Sequence, residues 1–421
     1  MSKSRSAGVH LGIVRRDDVF EVTMTTEIGT RRHEEQKWRE LSILAVALVL
    51  SMSTWFSTAA VLPQLREQWS ISTATSSLLT IAVQVGFVVG AVASAATNLA
   101  DRLRPQRLIL LGAAGAAAAN AAVALLDSAG PALVARFVTG GFLALVYPPA
   151  LKAMAGWFRT GRGLALGVMI GALTVGSALP HLVNALGGLD WRAALVTTSA
   201  LTLAGGVIAD RACTPGPDAP PAAIVDPRQI GAILRDRRFL LATGGYFGHM
   251  WELYAMWAWI AAFYGDVFSP RRASLAAFLA IGIGAAGAVH AGRLSDRLGR
   301  EVAARRALRW SAALAVVTGF LVEAPWPRVV LAGRVWGFWG VADSAQFSAI
   351  VTEVVDPRYV GTALTMQLAS GFTLSVLTIF LVPEIRDAHG WGWAFLALAP
   401  GPLLGAWAMS TLRRSTVTSR V

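Results

Sequence analysis

Residues 292–300 read Gly-Arg-Leu-Ser-Asp-Arg-Leu-Gly-Arg and follow the apolar run 275–291. A weaker copy, Thr-Asn-Leu-Ala-Asp-Arg-Leu-Arg-Pro-Gln-Arg at 97–107, follows another apolar run about 195 residues earlier. Each copy sets an acid and then a base in a short polar loop between two hydrophobic segments. A single basic loop is expected on the cytoplasmic side of any membrane protein. Two copies separated by nearly half the chain length indicate instead that the chain is built from two related halves.

The composition places the chain in a membrane. Of its 421 residues 55% are hydrophobic and only 15% charged, and the mean hydropathy is +0.54. In soluble proteins about a quarter of all residues are charged, which is clearly more than in this chain. The single cysteine, Cys213, excludes a disulfide framework and a cysteine-based zinc site. The net charge of +12 comes from arginines in short loops between apolar runs, which is typical of membrane orientation and not of nucleic-acid binding.

Apolar segments long enough to cross a hydrocarbon core of ~30 Å occur twelve times in the sequence. Because backbone polar groups in lipid need partners within their own segment, all should be helices. We therefore predict an all-α membrane protein with twelve transmembrane helices, arranged as two six-helix pseudo-symmetric bundles. The predicted spans are 41–62, 76–97, 107–126, 131–153, 163–186, 192–210, 239–263, 274–292, 307–323, 329–352, 362–383 and 392–412.

The polar segments between and around these spans predict the domain organisation. Residues 1–40 are polar, lack the apolar core of a signal peptide and are expected to form a disordered cytoplasmic tail, with translation starting at Met1 or Met24. The proline-rich segment 211–238 divides the spans six and six and is predicted to be a cytoplasmic linker. Arginines accumulate in the loops of one side, so both termini should be cytoplasmic. The predicted units are a tail (1–40), a bundle (41–210), the linker (211–238), a second bundle (239–412) and a tail (413–421).

The loop at 292–300 resembles the signature Gly-x-x-x-Asp-Arg-x-Gly-Arg of the major facilitator superfamily of transporters. The second copy matches in full, whereas the first has Thr97 and Arg104 in place of the glycines. The resemblance implies a loop that latches the transporter when the cytoplasmic ends of its halves are close together. A carboxylate placed at the start of a neighbouring helix would be stabilised by its free amides and by nearby guanidiniums. The candidate latch residues are Asp101, Arg102, Gly292, Asp296, Arg297, Gly299 and Arg300.

Ionisable residues inside the spans are candidates for function, because a charge at mid-membrane is costly. Glu252 and Asp343 are expected near the centres of the seventh and tenth spans, and His249 one helical turn from Glu252. They could carry protons along a cavity, or form a fixed ion pair that holds helices in register. Arg136 and Arg334 are expected at similar depths in the fourth and tenth spans, and unpaired arginines in a cavity would favour an anionic solute.

Two further resemblances concern the fourth and fifth spans. Residues 136–144 resemble the superfamily motif Arg-x-x-x-Gly-x-x-x-Ala, which is associated with proton coupling. Residues 167–176 resemble the drug-antiporter motif Gly-x-x-x-Gly-Pro-x-x-Gly-Gly, but Ala172 and Val175 replace a proline and a glycine. This departure argues against an antiporter. The glycines could equally serve close helix packing. The candidate packing residues are Gly140, Gly167, Gly171 and Gly176.

Aromatic and amide side chains supply the remaining candidates for solute binding. Trp55, Gln84 and Trp251 could stack on or hydrogen-bond a solute, as could Ser57, Gln346 and Gln367. They could equally pack helices together or anchor them at the membrane surface.

The sequence therefore predicts a secondary transporter that works by alternating access and moves a small organic solute, possibly anionic, coupled to protons or a counter-solute. Export of hydrophobic or toxic compounds by proton antiport is the alternative, and a non-transporting sensor is a third. No phosphate-cradling glycine loop and no metal-ligand spacing of histidines occurs, so we expect no enzyme, no cofactor and no metal. The expected partners are the lipid bilayer and the solute, with no nucleic acid, in a monomer of a bacterial-type inner membrane.

Overall fold

The computed structural model describes residues 16–97, 99–158, 160–187, 190–217, 227–356 and 358–418. The described side chains begin at residue 34 and do not include that of Asp101. The first half contains α1 (Arg16–Ser51), α2 (Ser57–Ala60), α3 (Leu62–Trp69), α4 (Thr73–Ala96), α5 (Leu99–Arg102), α6 (Pro105–Val123), α7 (Ala129–Leu143), α8 (Tyr147–Ala155), α9 (Arg162–Gly187) and α10 (Trp191–Ala212).

The second half contains helices that follow the same pattern of long segments and short breaks. They are α11 (Ile230–Ile233), α12 (Arg237–Gly265), α13 (Pro270–Gly282), α14 (Gly284–Leu298), α15 (Arg300–Thr318), α16 (Trp326–Ala342), α17 (Ser344–Val354), α18 (Val360–His389), α19 (Trp391–Leu396) and α20 (Pro400–Thr418). No strand occurs among the described residues, so the all-α prediction is confirmed for them.

Eight helical stretches of the described chain are long and apolar enough to cross a membrane. They are Thr73–Ala96, Pro105–Val123, Ala129–Ala155, Arg162–Leu186, Trp191–Ala212, Pro270–Leu298, Val360–His389 and Trp391–Ser415. The other four predicted spans fall on α1 with α2, on α12, on α15 and on α16 with α17. These stretches lack a helix that is both long and apolar enough: the first span breaks after Ser51, and α15 carries Arg305, Arg306 and Arg309 in its first ten residues. The count of twelve therefore stays a prediction.

The N-terminal tail differs from our expectation of disorder. The helix that enters the first predicted span begins at Arg16 and runs without interruption to Ser51. Directly before the predicted span, Glu40 is fully buried and accepts hydrogen bonds from the backbone N–H and the hydroxyl of Thr214, both at 2.9 Å. The first residues of the predicted linker are thereby attached to α1, whereas residues 218–226 lie outside the described part.

Several predicted spans are broken near their middle. The first continues after Ser51 as a 3-10 turn (Met52–Thr54) and then as α2, and the tenth breaks at Asp343 between α16 and α17. A break exposes backbone carbonyls that a continuous helix would use internally. In the first half these carbonyls are taken by a buried side chain, described below.

The two halves meet along a few long helices. Helix α9 packs on α13 and α14, α4 packs on α18, and α2 contacts α12. These pairs each join one helix of the first half to one of the second. The candidate site lies where they enclose the centre of the molecule.

Candidate functional site

A buried acidic group lies on the second-half side of α12. Glu252 is only 2% exposed, and its Oε1 accepts a hydrogen bond from Ser311 Oγ on α15 at 2.7 Å and another from Trp336 Nε1 on α16. Both donors are neutral. A carboxylate buried among neutral donors is costly when charged, so this group is suited to hold a proton.

A second buried acid lies at the break before α17. Asp343 Oδ1 is 2.8 Å from His249 Nδ1, and both residues are buried. This oxygen has no hydrogen bond of acceptable geometry, so the two side chains are in close polar contact. The other ring nitrogen of His249 lies 3.1 Å from Ser344 Oγ. The structure thus pairs His249 with Asp343 and not with Glu252, although all three lie close enough to interact electrostatically.

An aromatic cluster fills the space between the two halves next to α12. It consists of Trp55, Phe56 and Phe87 from the first half and Tyr254, Trp257 and Phe372 from the second, all buried. Ring centroids are 4.9 Å apart for Phe87 and Phe372, and 6.0 Å for Trp55 and Tyr254. We call these six residues the central aromatic cluster. It offers flat apolar faces of the kind that bind aromatic solutes.

Buried amides without hydrogen-bond partners lie on the helices around this cluster. Among the described residues, neither amide atom of Gln84 or Gln346 has a partner, and the Nε2 atom of Gln367 has none. The Nε1 atom of Trp55 is likewise unpaired. Buried polar atoms are nearly always satisfied in folded proteins. Groups left unpaired at the centre of the molecule are therefore available to a ligand or to water.

Arg136 corrects our interpretation of the fourth span. It is fully buried, and its guanidinium donates to the carbonyls of Thr54 and Trp55, to Ser57 Oγ and to Asn120 Oδ1, at 2.9, 2.5, 3.1 and 2.7 Å. The two carbonyls are those freed by the 3-10 turn. Through its terminal nitrogens Arg136 fastens the broken first span to α7 within one half, while its buried Nε has no hydrogen-bond partner among the described residues.

Two other candidates lie away from the centre. Arg334 is exposed on α16, so it does not form a buried ion pair. Trp251 donates from Nε1 to the carbonyl of Ala397 at 3.0 Å and packs against Gly401. Both predictions relied on the position of the residue along its predicted span, and that position does not determine the direction in which a helical side chain points.

Two latch candidates, Asp296 and Gly292, lie where the start of α9 meets the end of α14. A Cβ built on Gly163 would lie 2.4 Å from Oδ1 of Asp296, so this carboxylate sits against the first turn of α9. A Cβ on Gly292 would lie 2.7 Å from the carbonyl oxygen of Gly163. A helix start favours a negative charge. The contact between Asp296 and Gly163 joins the two halves, and the loop sequence alone does not indicate Gly163 as the partner.

The basic latch candidates lie differently from our expectation. Arg300 donates from Nε to Glu353 Oε1 at 2.5 Å within its own half, and not to Asp296. Arg297 and Arg102 are exposed, and Gly299, with φ +89°, ends α14 and precedes α15. The side chain of Asp101 lies outside the described residues.

The packing glycines divide into two groups. A Cβ on Gly167 would meet the carbonyl oxygen of Ala288 at 2.8 Å, and one on Gly171 would meet Ala285 at 3.2 Å, both across the junction of the halves. The other two pack within the first half: Gly140 against Val83 on α4, and Gly176 against Val49 on α1.

Sequence reasoning missed several residues of this arrangement. Asn184 donates from Nδ2 to the carbonyl of Ala60 and to Ser274 Oγ, at 2.8 and 2.9 Å, joining the halves at the end opposite the latch. Asn120, Ser311 and Trp336 were missed as partners of buried charges. An asparagine inside an apolar span was the available signal, since such a side chain must find a partner in lipid.

A family model of the Major Facilitator Superfamily matches residues 44–322. The chain belongs to the Major Facilitator Superfamily. This match confirms the family resemblance and the prediction of a membrane transporter that is not an enzyme. The chain is 30% identical over 310 residues to the chloramphenicol resistance protein of Streptomyces lividans, covering 69% of this chain and 72% of that protein.

A second superfamily relative is the multidrug efflux pump LfrA of Mycolicibacterium smegmatis. It is 32% identical over 158 residues, which cover 37% of this chain and 31% of the pump. The chain thus aligns to about a third of this pump's length. Both relatives bear names that describe drug efflux or drug resistance.

Proposed function

We propose that this chain is a twelve-helix secondary transporter, with both termini in the cytoplasm, that exports neutral aromatic or hydrophobic compounds in exchange for protons. It acts as a monomer in a bacterial-type inner membrane, and its halves are the six-span bundles on either side of residues 211–238. This function corresponds to the alternative that the sequence favoured less.

The observation that carries the proposal is the division of α12 into two faces. Glu252 faces α15 and α16 of its own half, whereas Tyr254 and Trp257 contact Trp55 and Phe56 of the first half. One rigid helix therefore carries a proton-binding carboxyl on one side and a solute-binding surface on the other. Charging or neutralising Glu252 changes the packing of α12 and, with it, the contact between the halves.

The central aromatic cluster supports the solute class. A compound with a flat ring can replace ring–ring contacts across the junction of the halves, and the unpaired amides of Gln84, Gln346 and Gln367 can bond its polar atoms. The names of the two relatives agree with this class.

The preference for an anionic solute loses its basis. It depended on Arg136 and Arg334 lying unpaired in a cavity, but the terminal nitrogens of Arg136 donate to four oxygen atoms of its own half and Arg334 is exposed. The buried carboxyls Glu252 and Asp343 belong to helices next to the centre and, when charged, would disfavour an anion there. Neutral or cationic solutes suit that environment better.

The test is transport of chloramphenicol, used as the probe, by the purified full chain reconstituted into lipid vesicles. An imposed pH gradient should drive probe movement by the wild type. Glu252→Gln should abolish this dependence but leave exchange of probe down its own gradient, because the substituted side chain keeps its shape and loses only the titratable group. Glu323→Gln, an exposed acid after α15, is the matched control.

Two outcomes count against the proposal. If Glu252→Gln responds to the pH gradient as the wild type does, Glu252 does not couple protons. If Phe372→Ala and Tyr254→Ala leave the apparent affinity for the probe unchanged while the proteins stay folded, the central aromatic cluster does not bind solute.

A further inference from the structure

A cavity of about 520 Å³ lies on the outer surface of the second half, at the corner between α14 and α15. Its size is within the range of ~300–1,000 Å³ that is usual for small-molecule sites. It is separate from the central aromatic cluster. Its lining consists of Leu298, Val302, Arg305, Arg306, Arg309 and Trp310.

The lining follows one face of α15. Positions 302, 305, 306, 309 and 310 are spaced by three and four residues, so their side chains stand above one another. Two of the apolar members are open: Leu298 and Trp310 are each 52% exposed. The Trp310 ring is held in place by stacking on Trp339, with centroids 6.1 Å apart and planes at 17°. The face therefore presents fixed apolar surface and positive charge side by side.

The positive charges of this face have no acidic partner. Within the described part of the chain, no ion pair is formed by Arg305, Arg306 or Arg309, and none by Arg413, which lies close by. Glu301 stands one turn before Arg305, the spacing at which a helical pair would normally form, but it makes no such contact. Partial burial and, after it, the guanidiniums of Arg309 and Arg413 lower the pKa of Arg305. The arginines repel one another, and an anion bound among them would reduce that repulsion.

We propose that this cavity binds an anionic glycerophospholipid, with its phosphate diester on Arg305, Arg306 and Arg309 and an acyl chain along Leu298, Val302 and Trp310. The arginines precede or begin the predicted span 307–323, so they lie at the depth of lipid phosphates. Guanidiniums bind phosphate oxygens through paired hydrogen bonds. Basic pockets beside transmembrane helices are suited to anionic headgroups.

A soluble anion is the poorer fit, because the cavity carries its charge and its exposed apolar surface on the same face. A free phosphate would leave Trp310 and Leu298 uncovered, whereas a lipid covers them with its chain. The inference does not depend on the solute that the transporter carries.

The experiment is native mass spectrometry of the full-length protein in detergent, titrated with phosphatidylglycerol or with zwitterionic phosphatidylcholine of the same chains. We expect preferential binding of phosphatidylglycerol. Arg305→Gln with Arg309→Gln should weaken it about 30-fold. Arg271→Gln with Arg272→Gln removes the same charge from exposed positions at the start of α13 and should change binding little. Size-exclusion profiles show that each variant is folded.

A second arm separates a lipid from a soluble anion. Trp310→Ala should weaken phosphatidylglycerol binding, and soluble glycerol phosphate should not displace the lipid. The proposal is overturned if both lipids bind equally, if the control pair loses as much affinity as the test pair, or if glycerol phosphate competes.

Discussion

Arg136 shows what a buried charge does when its partners are all neutral. Its guanidinium is held by two carbonyls, a hydroxyl and an amide, in a geometry that the planar group fills and an ammonium cannot. Asn120, one of these partners, also donates to Leu195 and Ser199 on α10. A single buried network therefore holds the broken first span, α6, α7 and α10 together.

We predict that Arg136→Lys lowers the stability of the purified protein by about 2–4 kcal/mol, because lysine replaces several charge-assisted hydrogen bonds with fewer. Thermal unfolding in detergent measures this. Arg334→Lys, at an exposed position, is the matched control and should unfold like the wild type. Normal stability with a selective loss of transport in Arg136→Lys would return Arg136 to the solute pathway.

Cys213 provides a prediction on pH. Burial and then the nearby Glu40 carboxylate raise the pKa of this thiol to about 12, while Arg39 opposes them. Since only the thiolate reacts, alkylation should be slow at pH 7 and rise about tenfold per pH unit without a plateau through pH 10. Mass spectrometry of N-ethylmaleimide adducts measures the rates. Unfolded protein should level off near the ordinary pKa of ~8.5; the same plateau in the native protein would contradict the prediction.

At the scale of elements, the decisive contact is α9 against α13 and α14. Gly163, Gly167 and Gly171 present one small-residue face of α9 to Gly292, Ala288 and Ala285. Backbones can approach this closely only where side chains are absent or small. Because the two helices lie so close together, the Asp296 carboxylate contacts the first turn of α9. The proposed latch would therefore depend on helix packing as well as on charge.

We predict that Gly163→Leu separates α9 from α14 at this end, since even a Cβ would overlap the Asp296 carboxylate. The reporter is Val289→Cys, next to Gly167 at the junction, in a chain whose natural cysteine is buried. Its alkylation should accelerate on the order of tenfold. Gly130→Leu, with open space around it on α7, is the control. Equal acceleration in both variants would show general loosening and not release of the latch.

At the scale of the whole molecule, the halves touch at both ends and at the centre. Asp296 meets Gly163 at one end, Asn184 meets Ser274 at the other, and the central aromatic cluster closes the space between them. In the proposed transport cycle, this arrangement corresponds to a state closed to both sides. For a solute to enter, one of the two end contacts must open.

We predict that linking the halves at the Asn184 end stops transport. Asn184→Cys with Ser274→Cys replaces a pair whose Nδ2 and Oγ atoms are 2.9 Å apart, so an oxidant or a short thiol cross-linker should join them. Probe flux should stop on cross-linking and return on reduction. Each single cysteine variant should keep its flux under the same treatment. Full flux in the linked protein would mean that this end does not open during the cycle.

The sequence by itself determined the class of the protein. Apolar runs, loop arginines and the repeated loop at 97–107 and 292–300 report local composition, and local composition suffices to place helices in lipid. The buried acids Glu252 and Asp343 could be found for the same reason, since any charge in an apolar run is conspicuous. The start of α1 could not be fixed, because polar residues are compatible with both a helix and a disordered tail.

Only the tertiary structure decided which side of each helix faces a partner. Arg136 and Arg334 look alike in sequence, yet one is enclosed by four oxygen atoms and the other is exposed. His249 is one turn from Glu252 but pairs with Asp343, because the break before α17 brings that acid to it. Gly163 and Asp296 belong to different halves and meet only when those halves pack. Contacts between segments far apart in the chain depend on rotation and breaks of helices, and these are set by packing and not by any local pattern.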